Sequence, residues 1–352
     1  MKVTKEQLTE LIRNKLMQAG LSREHADCVA EVLVYADLRG AHSHGAIRVE
    51  YYCERLDRGG INKHPEFKLE KTGSSTAIFH GDNGPGQVAA KLAMDEAIKI
   101  AKDTGVAVVG VRSISHSGAL GYFVRQAAQE DLIGISVCQA DPMVVPHGGT
   151  KPYYGTNPIA FACRGLGDDI VTFDMSTSVK SWGKVLEARV KKQPIPDTWA
   201  VGENGKPTTD PFRIRGLLPL AGPKGFGLAM MVDILSGMLL GLPFGGHVTE
   251  LYGDLTQGRN LGQLHIVINP AYFTDLRRFK ASVSQMMRDL NEMQPAEGFD
   301  RVRYPGQGSQ ERAERSEREG IDIADDIYSY LTSDKLHYNR YHMYDPFADK
   351  NY

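Results

Sequence analysis

Apolar residues recur at helical spacing from the start of the chain. Leu8, Leu11, Ile12 and Leu16 fall on one face of a helix, and Thr4 with Gln7 has the spacing of a capping box. Gly20 stops that helix and Ser22 caps a second, whose apolar stripe is Val29, Val32, Leu33 and Ala36. Gly40 ends the second helix inside the segment "DLRGAHSHGAIR", Asp37 to Arg48. From about Phe67 the pattern changes. The runs "AIFHG", "VAVVGVR", "IGISVCQ", "PIAFACRG", "IVTFDMS" and "QLHIVIN" read as strands. Between them lie the helical runs "GQVAAKLAMDEAIKIAKDTG", "GALGYFVRQAAQEDL", "KVLEARVKK" and the long apolar "GFGLAMMVDILSGMLLG". This alternation predicts an α/β core. Helices return after Asp275 in "FKASVSQMMRDLNEM" and "ADDIYSYLTSDK", and "SQERAERSERE" reads as a solvated helix. The predicted organisation is a helical segment over 1–66, an α/β core over 67–272 and a helical segment over 273–352 that packs with the first.

Composition narrows the class without choosing an activity. A chain of 352 residues favours two or three structural units. Hydrophobic residues at 41% and charged residues at 24% are ordinary for a globular protein. A net charge of -2 offers no electrostatic footprint for nucleic acid or an anionic membrane. The four cysteines are scattered with no C-x-x-C pair, and read as small buried hydrophobes. The polar start "MKVTKEQLTE" is not expected to be a signal peptide. No membrane span is expected either, and a reducing cytoplasm fits these features.

Several stretches carry possible chemistry. A G-x-G-x-x-G fingerprint directly after a strand is absent. "GPKGFG" opens the long apolar helix, which places free N–H groups beside Lys224 and suits a phosphate. The plainer alternative is that Gly222 and Pro223 only start the helix. His116 follows the strand "VAVVGVR", and ligands of open α/β sheets gather at carboxyl ends of strands. A histidine exchanges protons near neutral pH, although a structural role is equally open. Asp141 lies in a loop stiffened by Pro142, Pro146, Pro152 and Pro158, where it could orient a histidine or cap a turn. Asp174, Ser176, Thr177 and Ser178 could hold ribose hydroxyls or cap a helix. "DLRGAHSHGAIR" has two readings. His42 and His44 could be a metal pair of a hydrolase, or a histidine could work beside Arg48 on a substrate carboxylate. A metal pair needs further ligands, and His116, Asp141 and His147 show no recognised ligand spacing.

The stretches "RGAHSHGAIRVEYY", "SISHSGALGYF", "YGTNPIAF", "FDMSTS", "GPKGFGLAMMVDILSG" and "NLGQLHIVINP" occur in order over nearly the whole chain. Together they resemble the malate/L-lactate dehydrogenase family, NAD(P)-dependent 2-hydroxy-acid oxidoreductases without a Rossmann fold. "AEVLVYADLRG", "RVEYYCERL", "DPMVVP", "IPDTWAV" and "LLGLPFG" are similar to one branch of it. The resemblance implies a non-Rossmann mixed-sheet dinucleotide-binding core, with N- and C-terminal helical segments packed around it. It implies His116 as proton acceptor and Ala140, Asp174, Met175, Ser176, Lys224 and Gly306-Gln307-Gly308 as cofactor positions, with Asp141 grouped beside Ala140. Related members carry an acidic residue where this chain has Gly308, which leaves only backbone contacts there. His44 matches a proton donor of another branch, so His116 and His44 compete for one role.

The chemistry implied is oxidation of a small 2-hydroxy acid. Its carboxylate needs a planar charged fork, which arginine offers and lysine does not. Arg48 is the first choice and Arg259 the second. Tyr52, four positions after Arg48, shares its helix face, and Ser43 is placed to bind the substrate or His44. NAD is the expected cofactor, since no arginine closely follows Asp174 and an acidic side chain repels a 2′-phosphate. No metal is expected, and the family implies a homodimer or larger homo-oligomer.

Overall fold

The structure, a computed structural model, describes residues 1–347. Strand β1 (Lys2–Val3) leads into α1 (Lys5–Gln18), α2 (Arg23–Leu38), a 3-10 turn at His42–His44 and α3 (Arg48–Asp57). Thr4 and Gln7 close their capping box reciprocally, and the Ser22 side chain caps α2. Next come β2 (Lys68–Lys71), β3 (Thr76–His80), α4 (Gly86–Thr104), β4 (Val106–Ile114) and α5 (Leu120–Gln129). They are followed by β5 (Ile133–Cys138), β6 (Ile159–Arg164), β7 (Ile170–Met175) and α6 (Trp182–Lys191). A short ribbon of β8 (Ala200–Val201) and β9 (Gly216–Leu217) precedes α7 (Pro223–Ser236) and β10 (Leu261–Ile268). Helices α8 (Leu276–Glu292) and α9 (Gln307–Glu319), strand β11 (Ile321–Asp322) and helix α10 (Asp325–Thr332) follow.

Seven strands form one sheet in the order β2-β3-β4-β10-β5-β6-β7. Only β3 and β4 pair in parallel; every other neighbouring pair is antiparallel. The sheet is mixed, as the reading of the sequence expects. Side chains alternate between its faces. Ala107, Val109 and Val111 of β4 pack with α4 and α5, whereas Val108 packs in the cluster that holds Val232 of α7. Ala89, Ala93 and Ala97 keep that face of α4 flat, so the helix lies close on the sheet.

Strand direction decides where the loops gather. Because β10 runs against both β4 and β5, and β6 against both β5 and β7, strands β4, β5 and β7 point the same way. Their carboxyl ends therefore share one end of the sheet with the start of β10. His116 follows β4, Ala140 and Asp141 follow β5, Asp174 to Ser176 end β7, and Arg259 precedes β10. Residues far apart in the chain thus meet.

The first and last segments share a core. Leu8, Ile12, Val29, Leu33 and Val49 cluster with Ala313, Ile321, Tyr330 and Leu331, and β1 pairs with β11. Helix α8 packs elsewhere, with Val283 and Met287 against Cys163 and Val171. The four cysteines are free; Cys53 and Cys163 are buried and the other two partly so.

One element departs from expectation. The apolar run through Gly241 was expected as one long helix, but α7 stops at Ser236 and a 3-10 turn follows at Met238–Leu240. Gly237 makes the break, where a Cβ would lie 2.8 Å from the Asp233 carbonyl oxygen. By length and composition alone, the 18-residue window Pro223–Leu240 is apolar enough to cross a membrane, with mean hydropathy 1.3. The unbroken helix has 14 residues, about 21 Å at the usual rise, against a hydrocarbon core of about 30 Å.

Candidate active site

Asp37 organises the HSHG segment. Its buried carboxylate accepts from the Ala46 N–H at 2.7 Å and lies 2.9 Å from His42 Nδ1. Gly45 passes so close that a Cβ there would meet that carboxyl group at 2.1 Å. The hydrogen bond to Asp37 raises the pKa of His42. His44 turns elsewhere: its Nδ1 is 3.0 Å from Ser43 Oγ, and its ring stacks on His116 at 5.7 Å between centroids. His42 and His44 therefore engage different partners and do not converge on one point.

His116 is built in from α3 and α4. Its Nδ1 lies 2.7 Å from Tyr52 Oη on α3. Tyr52 Oη also accepts from Gln87 Nε2 at 2.9 Å, from the first turn of α4. That turn is pressed onto the loop: the Gly86 N–H donates to Ser115 Oγ at 3.0 Å, and a Cβ on Gly86 would stand 2.2 Å from the Ser115 carbonyl oxygen. Arg48, one turn before Tyr52, donates from Nε to the Ser43 carbonyl at 2.7 Å and from Nη1 to Tyr252 Oη at 2.9 Å. Arg259 is 1% exposed and donates from Nη2 to Asp141 Oδ1 at 3.2 Å. Its Nε and Nη1 are buried without a hydrogen-bond partner. Asp141 thus pairs with an arginine rather than orienting a histidine.

The electrostatics follow from enclosure and charge. Enclosure, then Arg48, His44 and Arg259, hold the His116 pKa well below the ordinary histidine value. Enclosure and Arg48 bring His44 down to about 4. At neutral pH two neutral imidazoles therefore stand among two permanently charged guanidiniums. A neutral ring can accept a proton, and a guanidinium with free donors can hold a carboxylate.

A cavity of about 450 Å³ opens nearby, with Tyr35, Arg39, Gly121, Asp174, Gly306 and Arg312 among its walls. Asp174 Oδ2 accepts from the Gly121 N–H at 2.8 Å, at the start of α5. Gly306 has φ +92°, and a Cβ there would lie 2.4 Å from the Thr172 carbonyl oxygen, so only glycine fits. Gly308 is a wall as well, and Gln307 begins α9. Met175 is exposed beyond Asp174, and Ser176 Oγ accepts from Ser178 Oγ at 3.0 Å. The Leu220 N–H donates to the Thr177 carbonyl at 2.8 Å, which ties the approach to α7 to the end of β7. Lys224, on the first turn of α7, is exposed and is not a wall of this cavity. Ala140 donates its N–H to Asn157 Oδ1 at 3.0 Å, and Asn157 Nδ2 donates to the Ala229 carbonyl at 2.9 Å. These bonds bolt the loop after β5 to α7. A second cavity of about 530 Å³ lies at the approach to α7, between Pro146, His147, Gly149, Ala221 and Gly222.

Gln87, Tyr252, Tyr35, Arg39 and Arg312 did not stand out as site residues in the sequence. Arg39 stands in the quoted "DLRG" and packs over the Tyr35 ring at 3.9 Å. Gln87 and Tyr252 carry no local signal, because only the tertiary fold brings them to Tyr52 and Arg48.

The family model for malate/L-lactate dehydrogenase matches residues 3–332. Ureidoglycolate dehydrogenase (NAD(+)) of Escherichia coli K12 is 61% identical over 99% of this chain and 100% of that protein. L-sulfolactate dehydrogenase of Methanocaldococcus jannaschii is 39% identical over 92% of this chain and 93% of its own. The solved sulfolactate dehydrogenase of that organism superposes with a TM-score of 0.88 at 38% identity, covering 94% and 95% of the two chains. A crystal structure of malate dehydrogenase from Entamoeba histolytica gives a TM-score of 0.89 at 29% identity, covering 94% and 96%. The mixed sheet, the absent Rossmann fingerprint and these likenesses agree: the chain belongs to the malate/L-lactate dehydrogenase family.

Proposed function

We propose that this protein oxidises (S)-ureidoglycolate to oxalurate with NAD, in the breakdown of allantoin and the recovery of purine nitrogen. The observation that carries the reading is His116 just after β4, 2.7 Å from Tyr52 and stacked on His44, with Arg48 one helical turn before Tyr52. The 61% identical relatives named ureidoglycolate dehydrogenase favour this substrate. Malate, lactate or a sugar-derived keto acid remains the second reading, supported by relatives named malate and L-sulfolactate dehydrogenase at 38–39% identity.

The residues present fit a dinucleotide. Asp174 offers a carboxylate to ribose hydroxyls, and Gly306-Gln307-Gly308 opens α9 with no side chain at 308 to fill the cavity. The first turn of α7, with Lys224, suits the pyrophosphate, and Ala140, Asp141, Met175 and Ser176 complete the set along the same end of the sheet. When bound, NAD accepts a hydride at its nicotinamide ring.

The protein's own groups supply position and a base. Arg48 has two of its donor nitrogens fixed by Ser43 and Tyr252, which leaves Nη2 for a carboxylate. Arg259 adds buried free donors as the second candidate. His116 has Nδ1 committed to Tyr52, so Nε2, once bare of its own proton, is the nitrogen left to take the hydroxyl proton. Such general-base catalysis is typically worth about 10²–10⁴-fold. His44, held by Ser43, stacks on the His116 ring. Exposed Met231, Ile234, Met238 and Leu239 on and after α7 suit a subunit contact, and the working form is a cytoplasmic homodimer or larger.

The test is a substrate panel. Purified protein is given (S)-ureidoglycolate, malate, lactate or sulfolactate with NAD or NADP, and reduced nicotinamide is followed by absorbance. Highest kcat/KM with ureidoglycolate and NAD is expected; a preference for another acid moves the reading to the second alternative.

A further inference from the structure

Tyr52 Oη has two nitrogen neighbours, His116 Nδ1 at 2.7 Å and Gln87 Nε2 at 2.9 Å. A phenol has one proton to donate and lone pairs to accept with. The amide nitrogen of Gln87 only donates, so it occupies a lone pair. Tyr52 is 3% exposed, and of these two neighbours only His116 Nδ1 can accept the phenol proton. A neutral imidazole whose Nδ1 accepts carries its own proton on Nε2. That tautomer has no lone pair for a substrate proton.

The base form requires the reverse order. Nδ1–H must donate to Tyr52 Oη, the phenol must donate onward, and Nε2 must be bare. Half a turn of the Gln87 carboxamide about its last bond puts Oε1 where Nε2 stands and supplies the onward acceptor. Gln87 is 2% exposed and belongs to the turn pressed onto Ser115 and His116, so its reach to Tyr52 is fixed. The groups facing the ring are Arg48 and Tyr52 from α3, His44 from the 3-10 turn and Arg259 from the segment before β10. Neither guanidinium accepts a proton.

We propose that Gln87 is a positioning residue that selects the tautomer of His116 through Tyr52. With its N–H toward Tyr52 the ring is held protonated on Nε2; with its carbonyl toward Tyr52 the ring is held ready as a base. Between the two forms the ring takes a proton from water on Nδ1 and releases the Nε2 proton to water, so its charge is unchanged. The inference rests on reading His116 as the base.

The experiment reads histidine ring nitrogens by nitrogen-15 NMR in the full chain without substrate, with His116 assigned by its loss in His116→Ala. The wild type should carry the His116 proton on Nε2. Gln87→Glu, of the same shape but accepting only, should move it to Nδ1 and shift the acidic limb of kcat/KM to higher pH. Gln87→Met should keep the Nε2 proton and lower kcat about tenfold, with the KM for NAD unchanged, because the active form then leaves a buried hydroxyl unsatisfied. If Gln87→Glu does not fold, Tyr52→Phe replaces it and should abolish the Nε2 preference. A wild-type proton on Nδ1, a Glu or Phe variant with the wild-type tautomer, or a Met variant with wild-type kcat overturns the proposal. The tautomer is read without turnover, so a failed base assignment and a failed tautomer control are told apart.

Discussion

The rings of His44 and His116 stack with centroids 5.7 Å apart and 28° between their planes. They come from different segments, one from the 3-10 turn after α2 and the other from the loop after β4. Only His116 is backed by the Tyr52 and Gln87 chain; His44 is held by a single serine hydroxyl. His44→Ala should therefore lower kcat less than His116→Ala does. Steady-state kinetics of the two variants decide it, and a dead His44→Ala beside an active His116→Ala reverses the assignment.

Arg48 uses its Nε and Nη1 to join Ser43 and Tyr252. Arg48→Lys loses that joint as well as the planar fork, so KM for the hydroxy acid should rise and kcat should fall. Arg48→Ala, which removes the charge as well, should cost more, typically about 2–5 kcal/mol of substrate binding. Near-normal kinetics for Arg48→Ala would transfer the carboxylate to Arg259, whose Nε and Nη1 are free.

Gly306 combines φ +92° with a space closed by the Thr172 carbonyl oxygen. Gly306→Ala should cost about 1–3 kcal/mol through backbone strain and displace the start of α9 from Asp174. Thermal unfolding should show a lower Tm, and NAD titration a weaker Kd. A variant with unchanged Tm and unchanged NAD affinity would separate α9 from the cofactor site.

The pH dependence follows from the depressed histidines. A base must be neutral to accept a proton, so kcat/KM rises with pH through the His116 pKa. Enclosure and the flanking charges hold that pKa well below the ordinary value, so the acidic limb should lie below pH 6.5 rather than in the usual histidine range. Stability moves in the same direction. Enclosure brings His44, and His265 buried in β10 against the Ala90 carbonyl, to about 4 when folded, while unfolded histidine titrates near 6.5. Below pH 6.5 the unfolded chain binds more protons, so Tm should fall between pH 6.5 and 4. A Tm that stays constant over that window contradicts the buried neutral state.

His42 turns to Asp37 and His44 to Ser43 and His116. Chelator treatment should accordingly leave turnover intact, with no stoichiometric zinc or manganese by elemental analysis. Chelator-sensitive activity with one tightly bound ion per chain would restore the hydrolase reading.

Much of the fold was legible because its elements are strongly periodic. The capping box at Thr4, the stop at Gly105 and the strand pattern through "VAVVGVR" and "QLHIVIN" all reappear in the structure. The order of the strands was not legible. β10 is inserted between β4 and β5 from more than a hundred residues later in the chain, and nothing local announces that pairing. The same holds for the site. His116, Arg48 and Asp174 stood out because their residue types sit at strand ends or in a glycine-rich turn. Gln87 and Tyr252 did not, because a buried amide and a loop phenol gain meaning only from the neighbours the fold gives them. The early stop of α7 was missed because the apolar run continues through Gly237 while the helical backbone does not.

The role proposed for His116 is to take the hydroxyl proton during oxidation. Its most direct test is a single-turnover measurement on His116→Ala, with reduced nicotinamide followed by absorbance and NADH binding followed separately by fluorescence. Hydride transfer from (S)-ureidoglycolate should fall by about 10²-fold or more while the Kd for NADH stays at the wild-type value. Hydride transfer at the wild-type rate, with an unchanged acidic limb, would contradict it.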